Sequence, residues 1–441
     1  MTQWIAKADP TKEFFIDMIT RDIGLDECIF DLLDNSIDGA YRNSHEGGRL
    51  DGFHAEINVY ADSFSIHDNC GGMKLSDATN YAFHFGRRAD APKDSDRSIG
   101  LYGIGMKRAV FKIGKKIHIQ SSTEGNPEEA FSTNIDVDSW AKSDKWDFTL
   151  EKLEHPNFIG TKIDITNLKE GVGAEFGDEL FAKELRTNIG RYYSFFIEDG
   201  FEIKVNGIIV KQHIFGVRAS KEIEPYVDSY TDKETGVKVR IVSGLAGNPP
   251  DDVSDPESVG RNTNNWGWFV VCNNRVVLAG DKTNKTVWGD GTFPSWHPQY
   301  NGFMGIVFFE SDNPSELPWT TTKRQIDETV PVYRRAVVGM RDATRTYLDY
   351  TNTRKASLDQ ARTVESEANY VSVKTAAPTA VKSMKLPVYT AKPKVKIANI
   401  LYQKPADQVE KAAIALGNSS LSYKEVGIKT FEYFYENEVS E

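Results

Sequence analysis

Three short stretches of the chain carry residue types at spacings that suit work on a phosphorylated ligand. In FDLLDNSIDGA, residues 30–40, Asp31, Asn35 and Asp38 recur at intervals of four and three. That spacing predicts a helix with these polar groups on one face and Ile29, Leu33 and Ile37 on the other, so that a carboxylate stands beside a candidate metal ligand. SIHDNCGGM, 65–73, closes the strand-like EINVYADSFSIHD with an acid and a glycine turn. Strand ends are where ligands of layered α/β sheets gather, and Asp68 is there a natural acceptor for an exocyclic amine. In SIGLYGIGMKRAV, 98–110, Gly100, Gly103 and Gly105 let the backbone approach a polyphosphate, and Lys107 adds a charge. A helix starting near Met106 would aim its first amides at the anion. These are parts of a nucleotide site that contains no P-loop.

Taken singly, each stretch has an ordinary reading, because glycine-rich loops are common and a polar helix face is usually a solvated one. The order is more informative: acid and Asn on a helix, Asp with a glycine turn, a glycine loop with Lys, then GTKIDITNL at 160–168. In that order the motifs resemble those of the GHKL ATPases, the superfamily of the Hsp90 chaperones, the DNA gyrase B subunit, the MutL mismatch-repair proteins and the MORC ATPases. WFVVCNNRVV (268–277), GIVFFE (305–310) and LPWTTTKRQID (317–327) look like the second domain of the MutL and MORC branches. The resemblance covers most of the chain. It implies an α+β fold: a Bergerat α/β sandwich followed by a β-rich, S5-like transducer domain with long C-terminal helices and a short tail.

It also implies ATP and Mg²⁺ as cofactors. Asn35 would hold the Mg²⁺ that bridges the phosphates. Asp68 would accept from the adenine amino group, with Thr161 supporting it through water, and Gly72 and Met73 would shape the base pocket. Gly100, Gly103, Gly105 and Lys107 would hold the phosphates, and Lys323 would reach the γ-phosphate from the second domain. Asp31 falls where these families place the residue that activates the attacking water. Two departures stand out. The water-activating residue is usually Glu, and Asp31 is shorter by one methylene, roughly 1.5 Å, a misplacement that can cost about a hundredfold in rate. Hydrolysis is therefore expected to be slow unless the helix sits closer to the phosphate. Cys70 also stands where the first glycine of the acid-x-Gly-x-Gly turn usually does, and Gly71 is expected to take over the bend.

The composition, 39% hydrophobic and 27% charged over 441 residues, is that of a multidomain globular protein. The chain shows no long uncharged apolar run, and MTQWIAKADPTKEFF lacks the apolar core of a signal peptide, so a cytoplasmic protein with no membrane association is expected. Cys28, Cys70 and Cys272 form no CxxC pair, which favours reduced thiols and no structural metal. The net charge of −11 argues against coating nucleic acid by bulk attraction.

Along the chain we expect an ATPase domain over 1–215, opened by an arm (1–12) that relatives use to strap two subunits together. It would contain helices 13–23 and 25–43, strands near 54–60, 63–67, 115–121, 130–136, 146–152 and 161–166, and a hairpin turning at Asn206-Gly207. The stretch from Met73 to Gly100 corresponds to the ATP lid. A transducer-like domain with a helical extension is expected over 216–373, its charged segment 333–370 reading as a long helix, a stalk or a dimer seam. Residues 374–396 hold six lysines, three prolines and no acid, which reads as a linker or as a tether to an acidic partner or nucleic acid. The segment 397–441 contains a predicted helix from Pro405 to Leu416 stopped at Gly417, then an aromatic run. It reads either as a piece docked on the body or as a peptide that recruits a protein partner.

The resulting expectation is an ATP-hydrolysing, nucleotide-gated clamp that forms a homodimer on ATP binding. The resemblance implies a DNA-directed role such as restriction or anti-phage defence. The alternative is a chaperone-like or regulatory nucleotide sensor that binds a protein client.

Overall fold

The computed structural model describes residues 4, 10–44, 48–86, 99, 103–254, 259, 263–377, 383–389 and 398–439. The chain divides into two compact units, Met1–Thr390 and Ala391–Glu441. Most of the expected arm, the lid beyond residue 86 except Ile99, and much of 374–396 lie outside the described residues.

The first unit opens with α1 (Lys12–Thr20) and α2 (Leu25–Asn43). The start of α2 is fixed by Glu27, whose carboxylate accepts from the Gly24 amide at 3.2 Å. Acids sit in its first turn and Arg42 in its last, each where the helix dipole favours that charge. The hairpin of β1 (His54–Tyr60) and β2 (Ser63–Asp68) alternates strictly, with Ala55, Ile57, Val59, Phe64 and Ile66 buried. With β3 (Gly114–Ser122), β4 (Phe131–Asp136), β5 (Glu151–Lys152), β6 (Gly160–Leu168), β7 (Glu202–Val205) and β8 (Ile208–Ile209) it forms an eight-stranded sheet, ordered β5-β4-β3-β6-β2-β1-β7-β8. Its neighbours are antiparallel except β1 and β7. The β7–β8 hairpin turns at Asn206 and Gly207, both at positive φ, as an Asn-Gly two-residue turn requires.

The strand expected over 146–152 shrinks to Glu151–Lys152. Trp146 and Phe148 instead pack on Trp140, with ring centroids 5.5 and 5.2 Å apart, so aromatic packing takes that segment away from the sheet edge. The helix α3 (Gly105–Ile113) packs against α2, β3 and β6, and buries Ala109, Val110, Phe111 and Ile113. Farther along, α4 (Glu179–Tyr192) reaches across to the second sheet.

That second sheet is five-stranded, built from β10 (Tyr226–Thr231), β11 (Lys238–Leu245), β12 (Gly267–Cys272), β13 (Arg275–Asp281) and β14 (Phe303–Glu310) in the order β10-β11-β14-β12-β13. Before it comes β9 (Gly216–Ala219), which pairs with β15 (Asn369–Ser372). The class is thus α+β, as expected; the two larger sheets share one buried cluster, while Val242, Phe269 and Ile306 of the second sheet pack with Val217 of β9 in another.

The charged segment after Pro331 is not one continuous helix. It forms α5 (Pro331–Arg354) and α6 (Leu358–Glu367), then enters β15. Val332, Ala336, Met340, Ala343 and Tyr347 recur every three or four residues and are fully buried, which docks α5 on β11 rather than leaving it free as a stalk. Arg354 pairs with Glu365 at 2.6 Å and holds α6 back against α5.

The Pro/Lys stretch is also partly docked. Lys374 pairs with Asp199 at 2.8 Å, Lys385 bridges to Glu224, and Met384 and Tyr389 are buried. Its lysines are therefore not all free to act as a basic tether.

In the second unit α7 (Ala406–Ala415) ends at Gly417, which has φ +82, and α8 (Tyr423–Glu438) begins on a capping box between Ser422 and Glu425. The aromatic run is helical, with Phe431, Tyr433, Phe434 and Tyr435 exposed. Among the described residues no helix is long and apolar enough to cross a membrane.

Candidate functional site

A cavity of about 770 Å³ lies over α2, the ends of β2 and β6, and the start of α3. Ile29, Leu33 and Ile37 are fully buried on the core face of α2. From Cys28 to Ala40 the one exposed residue of α2 is Asn35, which lines the cavity. A carboxamide presented this way offers its oxygen to a hard cation. Among the described residues no three His, Cys, Asp or Glu side chains gather as a metal cage. The residues fit a Mg²⁺ that takes one protein oxygen and completes its shell with phosphate oxygens and water.

Asp68 ends β2 in the cavity wall. Its Oδ2 accepts from the Ser36 hydroxyl at 2.8 Å, and its Oδ1 from the amides of Cys70 at 2.9 Å and Thr161 at 3.2 Å. Burial pushes its carboxyl above the usual range, while these three donors pull the other way. The turn after it depends on Gly71 and Gly72, both at positive φ, and Cys70 is buried instead of bending. A Cβ on Gly72 would lie 2.3 Å from the Ser122 carbonyl oxygen, so nothing larger fits between turn and sheet. Met73 donates its amide to the Ser121 hydroxyl at 2.7 Å, and it and Thr161 line the cavity beside Asp68.

Replacing Asp68 by Asn keeps an acceptor at Oδ1 but turns the other oxygen into a donor. Hydrogen bonds to charged groups contribute about 1.5–3 kcal/mol, so if Asp68 reads an adenine amino group, a preference for ATP over GTP is expected to fall by about tenfold or more. Competition titrations of the two nucleotides measure this, and an unchanged ratio would remove Asp68 from base recognition.

Across the cavity, Gly103 (φ +66) and Gly105 lead into α3. The first α-helical bond there runs from the Arg108 amide to the Ile104 carbonyl, which leaves the amides of the first turn available to an anion. Lys107 donates to the carbonyls of Ala82 and Gly103, and among the described residues it has no carboxylate partner. Burial draws its pKa down to about 7, and an arriving phosphate would favour its charged form. Gly100 lies outside the described residues.

The two residues expected to take part in chemistry are both engaged. Asp31 is buried, and its Oδ2 accepts from Arg108 at 2.5 Å. Burial raises its pKa, against the lowering effect of Lys323 and Arg108. Lys323 sits at φ +55 in the turn after β14 and reaches the cavity, but its Nζ donates to Asp34 Oδ2 at 2.8 Å. Asp34 also accepts from Arg275 and the Tyr193 hydroxyl. Burial pushes the Asp34 carboxyl up, but Lys323 and Arg275 outweigh it and hold the group below the usual range. Arg324, next in the turn, pairs with Asp26 at 2.7 Å, so the turn grips α2 at two points.

The structure therefore brings ten of the eleven expected residues to one cavity: Asp31 and Asn35 from α2; Asp68 from the end of β2; Gly72 and Met73 from the turn after it; Thr161 from β6; Gly103 from the approach to α3; Gly105 and Lys107 from α3; and Lys323. Sequence reasoning missed Asp34, Ser36, Arg108 and Arg275. Ser36 and Asp34 flank Asn35 in the motif already singled out, but the partners of Asp34 and Arg108 are too distant in sequence for spacing to reveal them.

Comparison with known families agrees with this geometry. Residues 23–164 match the family of histidine kinase-, DNA gyrase B-, and HSP90-like ATPases. The matched span includes every expected cavity residue except Lys323, and it supports the GHKL ATPase superfamily for this segment. No curated protein matches the chain.

Proposed function

We propose that the protein binds Mg·ATP in this cavity, hydrolyses it slowly to ADP and phosphate, and uses the bound state to close a homodimeric clamp of the MutL/MORC type. The observation that carries the reading is the convergence on one cavity of an exposed Asn35, a triply hydrogen-bonded Asp68, Lys107 at the start of α3, and Lys323 from the neighbouring sheet. Asn35 would hold the metal, which neutralises phosphate charge. Asp68 reads the base, and the first turn of α3 with Lys107 receives the phosphates. In this reading the second sheet is an S5-like transducer.

Lys323 gives ATP a means of changing shape. A γ-phosphate competes with Asp34 for its ammonium, and any difference in that contest between two domain arrangements becomes a shift in their populations. The MutL/MORC likeness favours a DNA-directed process such as restriction or anti-phage defence. A nucleotide sensor that recruits a protein client is the second reading, and the exposed aromatic side chains of α8 favour it.

Phosphate release from Mg·ATP, followed at several concentrations of native protein and of Asp31→Asn, tests the proposal. Specific activity is expected to rise with protein concentration and to fall by about 10²–10⁴ in the variant, the range for loss of a general base. Specific activity independent of concentration would contradict the dimeric clamp. Equal rates in the two proteins would contradict the role of Asp31.

A further inference from the structure

Asp31 and Arg108 meet across the contact of α2 with α3, their side chains 6% and 10% exposed. Both hydrogen bonds of the guanidinium go to the same carboxylate oxygen: Nη2 to Oδ2 at 2.5 Å and Nε to Oδ2 at 3.2 Å. Oδ1 has no hydrogen-bond partner among the described residues, and Asp31 lines the cavity. Gly105 explains how the two helices come so close. A Cβ there would lie 3.2 Å from Asp31 Cγ and 3.4 Å from Oδ2, so a side chain at this position would press the first turn of α3 away from the carboxylate. Arg108 follows three residues later, on the same face one turn along. One short helix thus carries the phosphate-facing amides and the base that fixes the neighbouring acid.

We propose that Arg108 is a positioning residue for hydrolysis: it anchors the Asp31 carboxylate through Oδ2 and turns Oδ1 toward the cavity, where Oδ1 takes a proton from the attacking water. This rests on the ATPase reading above. In the step it serves, the water oxygen bonds to the γ-phosphorus while one O–H proton passes to Oδ1. The bond from the γ-phosphorus to the β,γ-bridging oxygen breaks, and ADP leaves with the electron pair. Free rotation about the Cβ–Cγ bond would let either oxygen, or neither, face the water. Two N–H groups on one oxygen remove that freedom. The same anchoring offsets the shortness of Asp relative to Glu, because the acid need not reach far when α3 is packed directly on it. Lys323 does not share the task, since its ammonium is bound to Asp34.

The test uses the full chain with Arg108→Ala and Arg108→Lys, measuring the dissociation constant of Mg·ATP and the single-turnover rate at saturation. Binding is expected to stay within about twofold, while the rate falls by about 10–100-fold in Arg108→Ala, the scale of a misplacement of about 1 Å. Arg108→Lys, which can still donate to Oδ2, is expected to recover part of the loss. It also carries the test if the alanine variant does not fold. Added ethylguanidinium is expected to restore rate to Arg108→Ala but not to Arg108→Ala combined with Asp31→Asn, a response that a purely structural role would not produce. An unchanged rate in both single variants, or a loss that appears only in binding, overturns the proposal and leaves the ATPase reading standing. Native protein that binds ATP without hydrolysing it overturns the proposal and the hydrolysis it rests on but leaves ATP binding standing, and native protein that binds no ATP overturns the whole reading.

Discussion

Asp34→Ala is expected to destabilise the first unit by about 3–5 kcal/mol, the cost of removing one partner from a buried ion pair. The side chains of Asp34 and Arg275 are each 1% exposed and that of Lys323 is 8% exposed, so water cannot replace the lost carboxylate. Two cations would then lose their shared carboxylate, leaving Lys323 only the longer-range pull of Asp31 and Asp38. Arg275 would retain its bond to the Val276 carbonyl at 3.0 Å and its stacking on Tyr193, 4.1 Å from the ring centroid. Among the described residues Lys323 makes no second hydrogen bond of that kind. Removing one of the stranded charges as well, in Asp34→Ala combined with Lys323→Met, should therefore recover part of the loss, as interacting neighbours are not additive. Thermal and urea unfolding of the three proteins measures this. A single variant as stable as native would show that Asp34 is not what fastens the second sheet to α2.

Asn35→Ala is expected to have the opposite profile, with stability kept and nucleotide lost. Asn35 is exposed in mid-helix, where Ala is the better helix former by up to about 0.7 kcal/mol, and among the described residues its side chain makes no hydrogen bond that would be forfeited. The fold should therefore be unchanged or slightly more stable. If its oxygen ligates the metal between the phosphates, Mg-dependent affinity should drop by at least about a hundredfold, the upper end of the loss seen when even an outer partner of a metal ligand is removed. A gain in stability together with a loss of binding is the signature of a residue retained for function rather than for the fold.

Much of the eight-stranded sheet and of the cavity was legible in the sequence because both depend on short-range periodicity. The alternation of HAEINVY gives β1, the spacing of Asp31, Asn35 and Asp38 against Ile29, Leu33 and Ile37 gives α2, and the glycines mark where backbone must pass closely. The links between distant segments were not legible. Asp34 meets Arg275 and Lys323 across 241 and 289 residues, and Arg108 meets Asp31 across 77, separations at which no local pattern records a pairing. The segments whose structure differed from expectation failed for a related reason. Charges on most turns of 333–370 drew attention from the apolar stripe that docks α5, and the lysines and prolines after 374 gave no sign that Met384 and Tyr389 would be buried. In each case the deciding contact belonged to the tertiary fold.

The central claim is that Mg·ATP occupies the cavity through Asn35 and Asp68. The most direct measurement is calorimetric titration of ATP into the native protein with and without Mg²⁺, repeated with Asn35→Ala. The account predicts a saturable site with one nucleotide per chain, weakened when Mg²⁺ is removed and weakened to the same degree by the substitution, with no further effect of Mg²⁺ in the variant. No binding to the native protein, or binding that neither Mg²⁺ removal nor the loss of Asn35 changes, would contradict it.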